Sequence, residues 1–188
     1  MNARATLLFA AALVGACRAT RAPTRLANGM VVCEQPLAAE VGAFVLASGG
    51  NAADAAVATA LALAVVYPQA GNLGGGGFAL WVPAEGAALA LDFRETAPSS
   101  AAASRLFDDD GRALGALLVS SPLGVGVPGS PRGLAELLER CGSGRFTLSE
   151  LCAPAIVLAR DGFAVDANLA ADLRDVEATG SIDAPTSL

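Results

Sequence analysis

The chain has 188 residues, 54% hydrophobic and only 16% charged, with 18 acidic against 12 basic side chains and a formal charge of -6. That length suits one domain of roughly 150 residues, and a charged share below the usual value of about 25% suits a chain that builds a core, so a large multidomain enzyme and a disordered chain are both excluded. Net negative charge repels phosphate backbones and anionic lipid surfaces, which argues against a nucleic-acid partner.

The chain holds no His and no Lys, so all 12 of its cations are Arg. Ser-His-Asp triads, histidine-ligated zinc and lysine Schiff bases therefore have no side chains to use. The cysteines, Cys17, Cys33, Cys141 and Cys152, show no CxxC or other metal-ligand spacing. Neither a metal site nor a cofactor is expected.

In chain order, Arg4 followed by the apolar run Leu7 to Gly15 reads as a signal peptide over residues 1–16, too short to span a bilayer. Val14-Gly15-Ala16-Cys17 resembles a bacterial lipobox, which would make Cys17 an acylated mature N-terminus. Ordinary cleavage near the same small residues, with Cys17 incidental, is the competing reading. Either way the expected location is outside the cytoplasm, in the periplasm or cell envelope, with the membrane reached only through a lipid anchor. Residues 17–28 have no apolar period and read as a tether.

Two helices follow. Gln35 to Ser48 carries Leu37, Val41, Phe44, Val45 and Leu46 at mostly helical spacing as the face to bury, and Gly49-Gly50 supplies its stop. Asn51 caps the second, with Asp54 three residues on as in a capping box. Ala52 to Val66 is apolar around the whole circumference, so this helix belongs inside a protein layer. Pro68 ends it.

The string Pro68 to Gly77 (PQAGNLGGGG) then leads into an apolar strand, Phe78 to Val82. Four glycines leave no side chain in the way of a ligand or another backbone, with a hinge as the plainer alternative; a phosphate loop would need a GK[ST] ending and a following helix. A turn at Glu85-Gly86 brings Ala88 to Arg94 back as a second strand, with Leu89, Leu91 and Phe93 on one face and Asp92 and Arg94 on the other. Asp108 to Gly111 reads as a polar turn and not a calcium loop, because no Glu stands at the twelfth position. Ser120 to Gly129 is loop-like. Ser130-Pro131 is expected to cap and open a helix over Arg132 to Arg140. Thr147 opens another through Asp161, with Ile156, Val157 and Leu158 expected inside, Pro154 interrupting its ladder or marking a kink, and Gly162 ending it. Cys141 and Cys152 fall on adjacent helices and are either a disulfide or buried thiols.

Several of these strings together, GGNAADAAVATALAL, PQAGNLGGGGF, DFRETAP and SELCAPAIVLARDGFAV, resemble the large-subunit region of γ-glutamyltransferases, the glutathione-hydrolysing members of the N-terminal nucleophile hydrolases. The likeness runs in order from about Gly29 to Arg174. It implies an α+β fold, the αββα sandwich of that superfamily, incomplete here as the N-terminal portion of the large subunit over residues 29–178, with 179–188 a divergent tail. It also implies a precursor that cuts itself into two subunits, a nucleophilic threonine whose own α-amine is the base, and transfer of the γ-glutamyl group of glutathione to water, amino acids or peptides.

One site residue carries over. Arg94 matches the family arginine that grips the donor's α-carboxylate, and a planar guanidinium can bond both carboxylate oxygens at once. On its own chemistry Arg94 could equally be an ion-pair partner of Asp92 or Glu95. The family's nucleophile, oxyanion hole and amine-binding acid belong to the small subunit, and none of the threonines here stands in its cleavage context, Thr147 being a helix cap. No catalytic residue is assigned, and the chain is expected to be inactive without a small-subunit portion. The alternatives are an envelope lipoprotein that binds amino-acid-like carboxylates through Arg94, and a non-functional remnant with an unpaired sheet edge. An acylase of another amide is a variant of the first reading, because fold alone does not fix substrate.

Overall fold

A computed structural model describes residues 29–99, 102, 106–108, 110–115 and 122–178. The signal peptide, the tether with Cys17 and the 179–188 tail lie outside these residues. Helix α1 is Pro36–Ala47 and α2 is Ala52–Val66; a hairpin of β1 (Phe78–Trp81) and β2 (Leu89–Asp92) follows, then a 3-10 turn at Pro122–Gly124, α3 (Ser130–Cys141), α4 (Leu148–Asp161) and α5 (Ala167–Ala178). Helices and a small antiparallel sheet, paired Phe78 to Asp92 through Trp81 to Leu89, make this an α+β arrangement.

Helix α2 is the centre. It packs against α1, α3 and α4, and Val57, Ala58, Ala62 and Val66 are fully buried, each larger aliphatic side chain contributing about 1.5–3 kcal/mol of transfer free energy. The all-round apolar pattern therefore meant what it suggested. The expected face of α1 holds except at Phe44, and its tightest contacts are made by smaller residues. Ala38, Gly42 and Val45 are its buried residues, Leu37, Val41 and Leu46 are half-buried, and Phe44 is 67% exposed. Small residues win this contact because they let two helix axes approach, and a Cβ at Gly42 would strike the Thr59 hydroxyl. Size, not hydrophobicity, selects the face.

Polar side chains fix the helix starts. Asn51 and Asp54 form the expected capping box: Asn51 Oδ1 accepts from Ala53 N at 2.9 Å and Asp54 N at 3.1 Å, and Asp54 Oδ2 accepts from Asn51 N at 2.8 Å. Buried Gln35 joins two helix starts, accepting from Leu37 N and donating to Asp166 Oδ2 at 2.9 Å, while Asp166 Oδ1 accepts from the first amides of α5. Two expectations need correcting. Ser130 is the first residue of α3 and does not cap it; Gly129 holds the cap position without a side-chain bond. Ile156 and Val157 are 57% and 46% exposed, whereas Leu151 and Ala155 are the buried residues of α4. The apolar triplet spans too wide an arc for one helix to bury against a single neighbour. Helix α4 continues through Pro154 to Gly162, which stands at φ +80°.

Thr147 and Glu150 make a second capping box, with Glu150 Oε2 accepting from Thr147 N and Thr147 Oγ1, both at 2.7 Å. These bonds hold the Glu150 carboxyl below its ordinary value near 4.5. A carboxyl lowered in the folded state stabilises above its unfolded pKa, and that contribution is lost as pH falls through the folded one. Thermal unfolding of Glu150→Gln should therefore lie below that of the unmodified protein at neutral pH, with the gap closing in acid. A gap that persists unchanged at pH 3 would contradict this role.

Candidate donor-binding site

Arg94 stands just past β2, on the exposed face that strand alternation assigns to it, while Leu91 is buried and Phe93 packs on the core. Its backbone is fixed on both sides. Phe93 and Gly77 exchange two amide bonds of 3.0 and 3.3 Å, and Thr96 and Val127 exchange two of 2.8 and 3.4 Å. Arg94 N itself donates to Asp92 Oδ1 at 3.0 Å. The carboxylate of Asp92 thus serves the main chain, and neither it nor Glu95 forms an ion pair with the Arg94 guanidinium among the described residues. The side chain lines a cavity of about 390 Å³ with Glu95, Thr96, Pro98 and the 124–126 segment. The backbone is thus fixed, no described anion pairs with the guanidinium, and a planar guanidinium so placed has the chemistry to take a carboxylate on two parallel bonds.

The four glycines are not a hinge. A Cβ at Gly76 would lie 2.5 Å from Phe93 O, 2.6 Å from Glu95 N and 2.8 Å from Arg94 C. The run therefore lies against the main chain that carries Arg94, closer than any side chain would permit. On the opposite side, a Cβ at Gly126 would come 2.9 Å from Glu95 Cβ, one at Gly129 would overlap Phe93 O, and one at Gly133 would overlap the Phe93 ring. The two glycine segments are tied together, since Gly75 O accepts from Gly129 N at 2.9 Å and Ser130 N at 3.0 Å. That carbonyl takes the amides just before and at the first residue of α3, which have no partner within the helix. The sequence reading missed this second half of the slot. The signal lay in GVGVPGSPRG, where glycines at 126, 129 and 133 precede and enter a helix.

Other expectations resolve simply. Asp108 Oδ1 accepts from Asp110 N and Arg112 N, and Gly111 stands at φ +78°, so the acidic string is a turn. Cys33, Cys141 and Cys152 are unbridged in the structure, with Cys141 buried and Cys152 half-buried. No helix among the described residues is long and apolar enough to cross a membrane.

The matching family model is gamma-glutamyltranspeptidase, over residues 38–185. The glutathione hydrolase proenzyme of Pseudomonas sp. strain A14 is 48% identical over 148 residues, 79% of this chain and 25% of that protein. The glutathione hydrolase proenzyme of Escherichia coli K12 is 45% identical over 152 residues, 81% and 26% of the two chains. The crystal structure of Helicobacter pylori gamma-glutamyltranspeptidase superposes with a TM-score of 0.78 at 42% identity, covering 84% of this chain and 44% of that one. This chain thus spans about a quarter of the length of the curated relatives it matches, and its helices and hairpin are part of an N-terminal nucleophile hydrolase fold. A family model that matches most of the chain, with the same fold in a solved relative, leads to one conclusion: the chain belongs to the gamma-glutamyltranspeptidase family.

Proposed function

We propose that this chain is the donor-gripping part of a γ-glutamyltransferase that cleaves the γ-glutamyl amide of glutathione and passes the γ-glutamyl group to water, an amino acid or a peptide. The observation that carries this reading is Arg94, a cation without an ion-pair partner among the described residues, on a backbone fixed from both sides and opening on a cavity. Its two-pronged guanidinium binds the α-carboxylate and so fixes where the γ-carbonyl carbon lies in the site, the carbon whose bond to the amide nitrogen is broken. Attack on that carbonyl falls to an N-terminal threonine, its hydroxyl deprotonated by its own amine, supplied by a small-subunit portion beyond the quarter of the family length represented here. Residues 1–16 direct export to the envelope, and Cys17 becomes the lipidated N-terminus.

The test is glutathione turnover by the gene product with all sequence that follows Leu188, beside residues 1–188 alone. The longer product should release cysteinylglycine and the shorter should not. Turnover by the short chain would refute the assignment of the nucleophile, and failure of a correctly processed longer product would refute the substrate. Mass spectrometry of the same preparation should find acyl chains on Cys17, and an unmodified N-terminus would count against the anchor.

A further inference from the structure

We infer that Gly133 and Gly129, at the start of α3, are positioning residues for the donor site, setting Arg94 through Phe93; this rests on the donor-carboxylate reading of Arg94 given above. Gly133 is buried, and a methyl group there would occupy the space of Phe93 Cβ, Cγ and Cδ1. At Gly129 it would occupy that of Phe93 O. Any side chain at either position must push Phe93 away from α3. Phe93 cannot move freely the other way, because its amide and carbonyl are paired with Gly77 and its carbonyl already lies under Gly76. The displacement passes to the next residue, Arg94, whose amide is held by a single carboxylate oxygen of Asp92.

A two-pronged bond tolerates little of this. Recognition groups need placement within about 0.5 Å, and a misplacement of about 1 Å in a reacting complex can cost on the order of 100-fold. The alternative is that these glycines only let a helix pack against a strand, as glycines commonly do. Such a role would affect stability and leave ligand discrimination alone. Gly42 provides the comparison. It is buried and equally tight, against the Thr59 hydroxyl, but its neighbours belong to α1, α2 and the Val31 segment and not to the Arg94 slot.

The discriminating quantity is kcat/KM of the complete gene product for glutathione divided by that for 4-aminobutyryl-cysteinylglycine, which lacks only the α-carboxylate, measured by release of cysteinylglycine. Arg94→Ala should bring this ratio close to one. Gly133→Ala should lower it at least about fivefold, while Gly42→Ala lowers the unfolding temperature and leaves the ratio within about twofold, the scale of a lost charge-assisted bond being roughly 10-fold or more. Should Gly133→Ala not accumulate as folded protein, Phe93→Leu carries the test, since it keeps most of the volume and loosens the same contact; it too should lower the ratio. An unchanged ratio in the Gly133 or Phe93 variant, with Arg94→Ala abolishing it, overturns the positioning role and leaves the donor reading standing. An equal fall in Gly42→Ala also overturns it. A ratio insensitive to Arg94→Ala overturns the donor reading itself.

Discussion

Arg94→Ala should weaken glutathione binding by the complete gene product roughly 10- to 100-fold without a measurable change in unfolding temperature. The size follows from charge-assisted hydrogen bonds, worth about 1.5–3 kcal/mol each in net terms, with about 1.4 kcal/mol per factor of ten in affinity. The absence of a stability effect follows from the structure. Arg94 is exposed, and its guanidinium has no ion-pair partner among the described residues, so truncation strands no buried group; surface changes of that kind stay within about 0.5 kcal/mol. Arg94→Lys should recover only part of the loss, because an ammonium is a point charge and cannot present two parallel N–H groups to one carboxylate. Equal affinities in the Ala variant and the unmodified protein would show that the donor is held elsewhere. A lowered unfolding temperature in Arg94→Ala would instead make Arg94 a structural residue, contrary to the open geometry around it.

What was legible in the sequence followed from local rules. Asn51 and Thr147 declared their helices because a side-chain acceptor three residues before a carboxylate is a complete local motif, and both boxes formed. The hairpin was readable from alternation and from Gly86, which stands at φ +100° in the turn, although the strands stop short at Trp81 and Asp92. The residues that were misjudged all depend on a neighbour distant in sequence. Phe44 and Ile156 are apolar at helical spacing, but which arc of a helix is buried is chosen by the surface it meets. In α1 that surface is α2, and it selects Ala38 and Gly42. The glycine run left a hinge and a close backbone approach both open, and the second holds, because its partner, the Phe93 to Glu95 main chain, adjoins it once the hairpin closes. Ser130 had the chemistry of a cap, yet the helix starts one residue earlier, with Gly129 at the cap position and the Gly129 and Ser130 amides held by Gly75 O. Arg94 was singled out by resemblance. Whether it pairs with Asp92 could not be read from the sequence; among the described residues it does not.

Asp54→Ala should be the most destabilising single change outside the apolar core, at about 3 to 4 kcal/mol in denaturant unfolding. Asp54 is fully buried, and its carboxylate does more than close the box at the start of α2. Both oxygens accept from Ser143 N, at 3.2 and 3.3 Å, while Asn51 Nδ2 donates to Cys141 O at 2.7 Å. The two polar residues that start α2 therefore also finish α3, satisfying an amide and a carbonyl that the helix end leaves without partners. Truncation leaves the amides of Asn51 and Ser143 without these acceptors, each costing about 1–3 kcal/mol when buried, and removes a carboxylate from a helix N-terminus. Asp54→Asn retains one oxygen acceptor and should lose about half as much. Hydrogen exchange locates the effect: the Ser143 amide should be protected in the unmodified protein and exchange rapidly in Asp54→Ala, whereas amides in the middle of α2 keep their protection under mildly stabilising conditions. A loss below about 1 kcal/mol, or a Ser143 amide that remains protected, would mean that Asn51 alone carries the junction. The consequence reaches the proposed donor site, because α3 is a single helix of 12 residues. Asp54 holds the end at Cys141, and the other end holds Phe93 beneath Arg94.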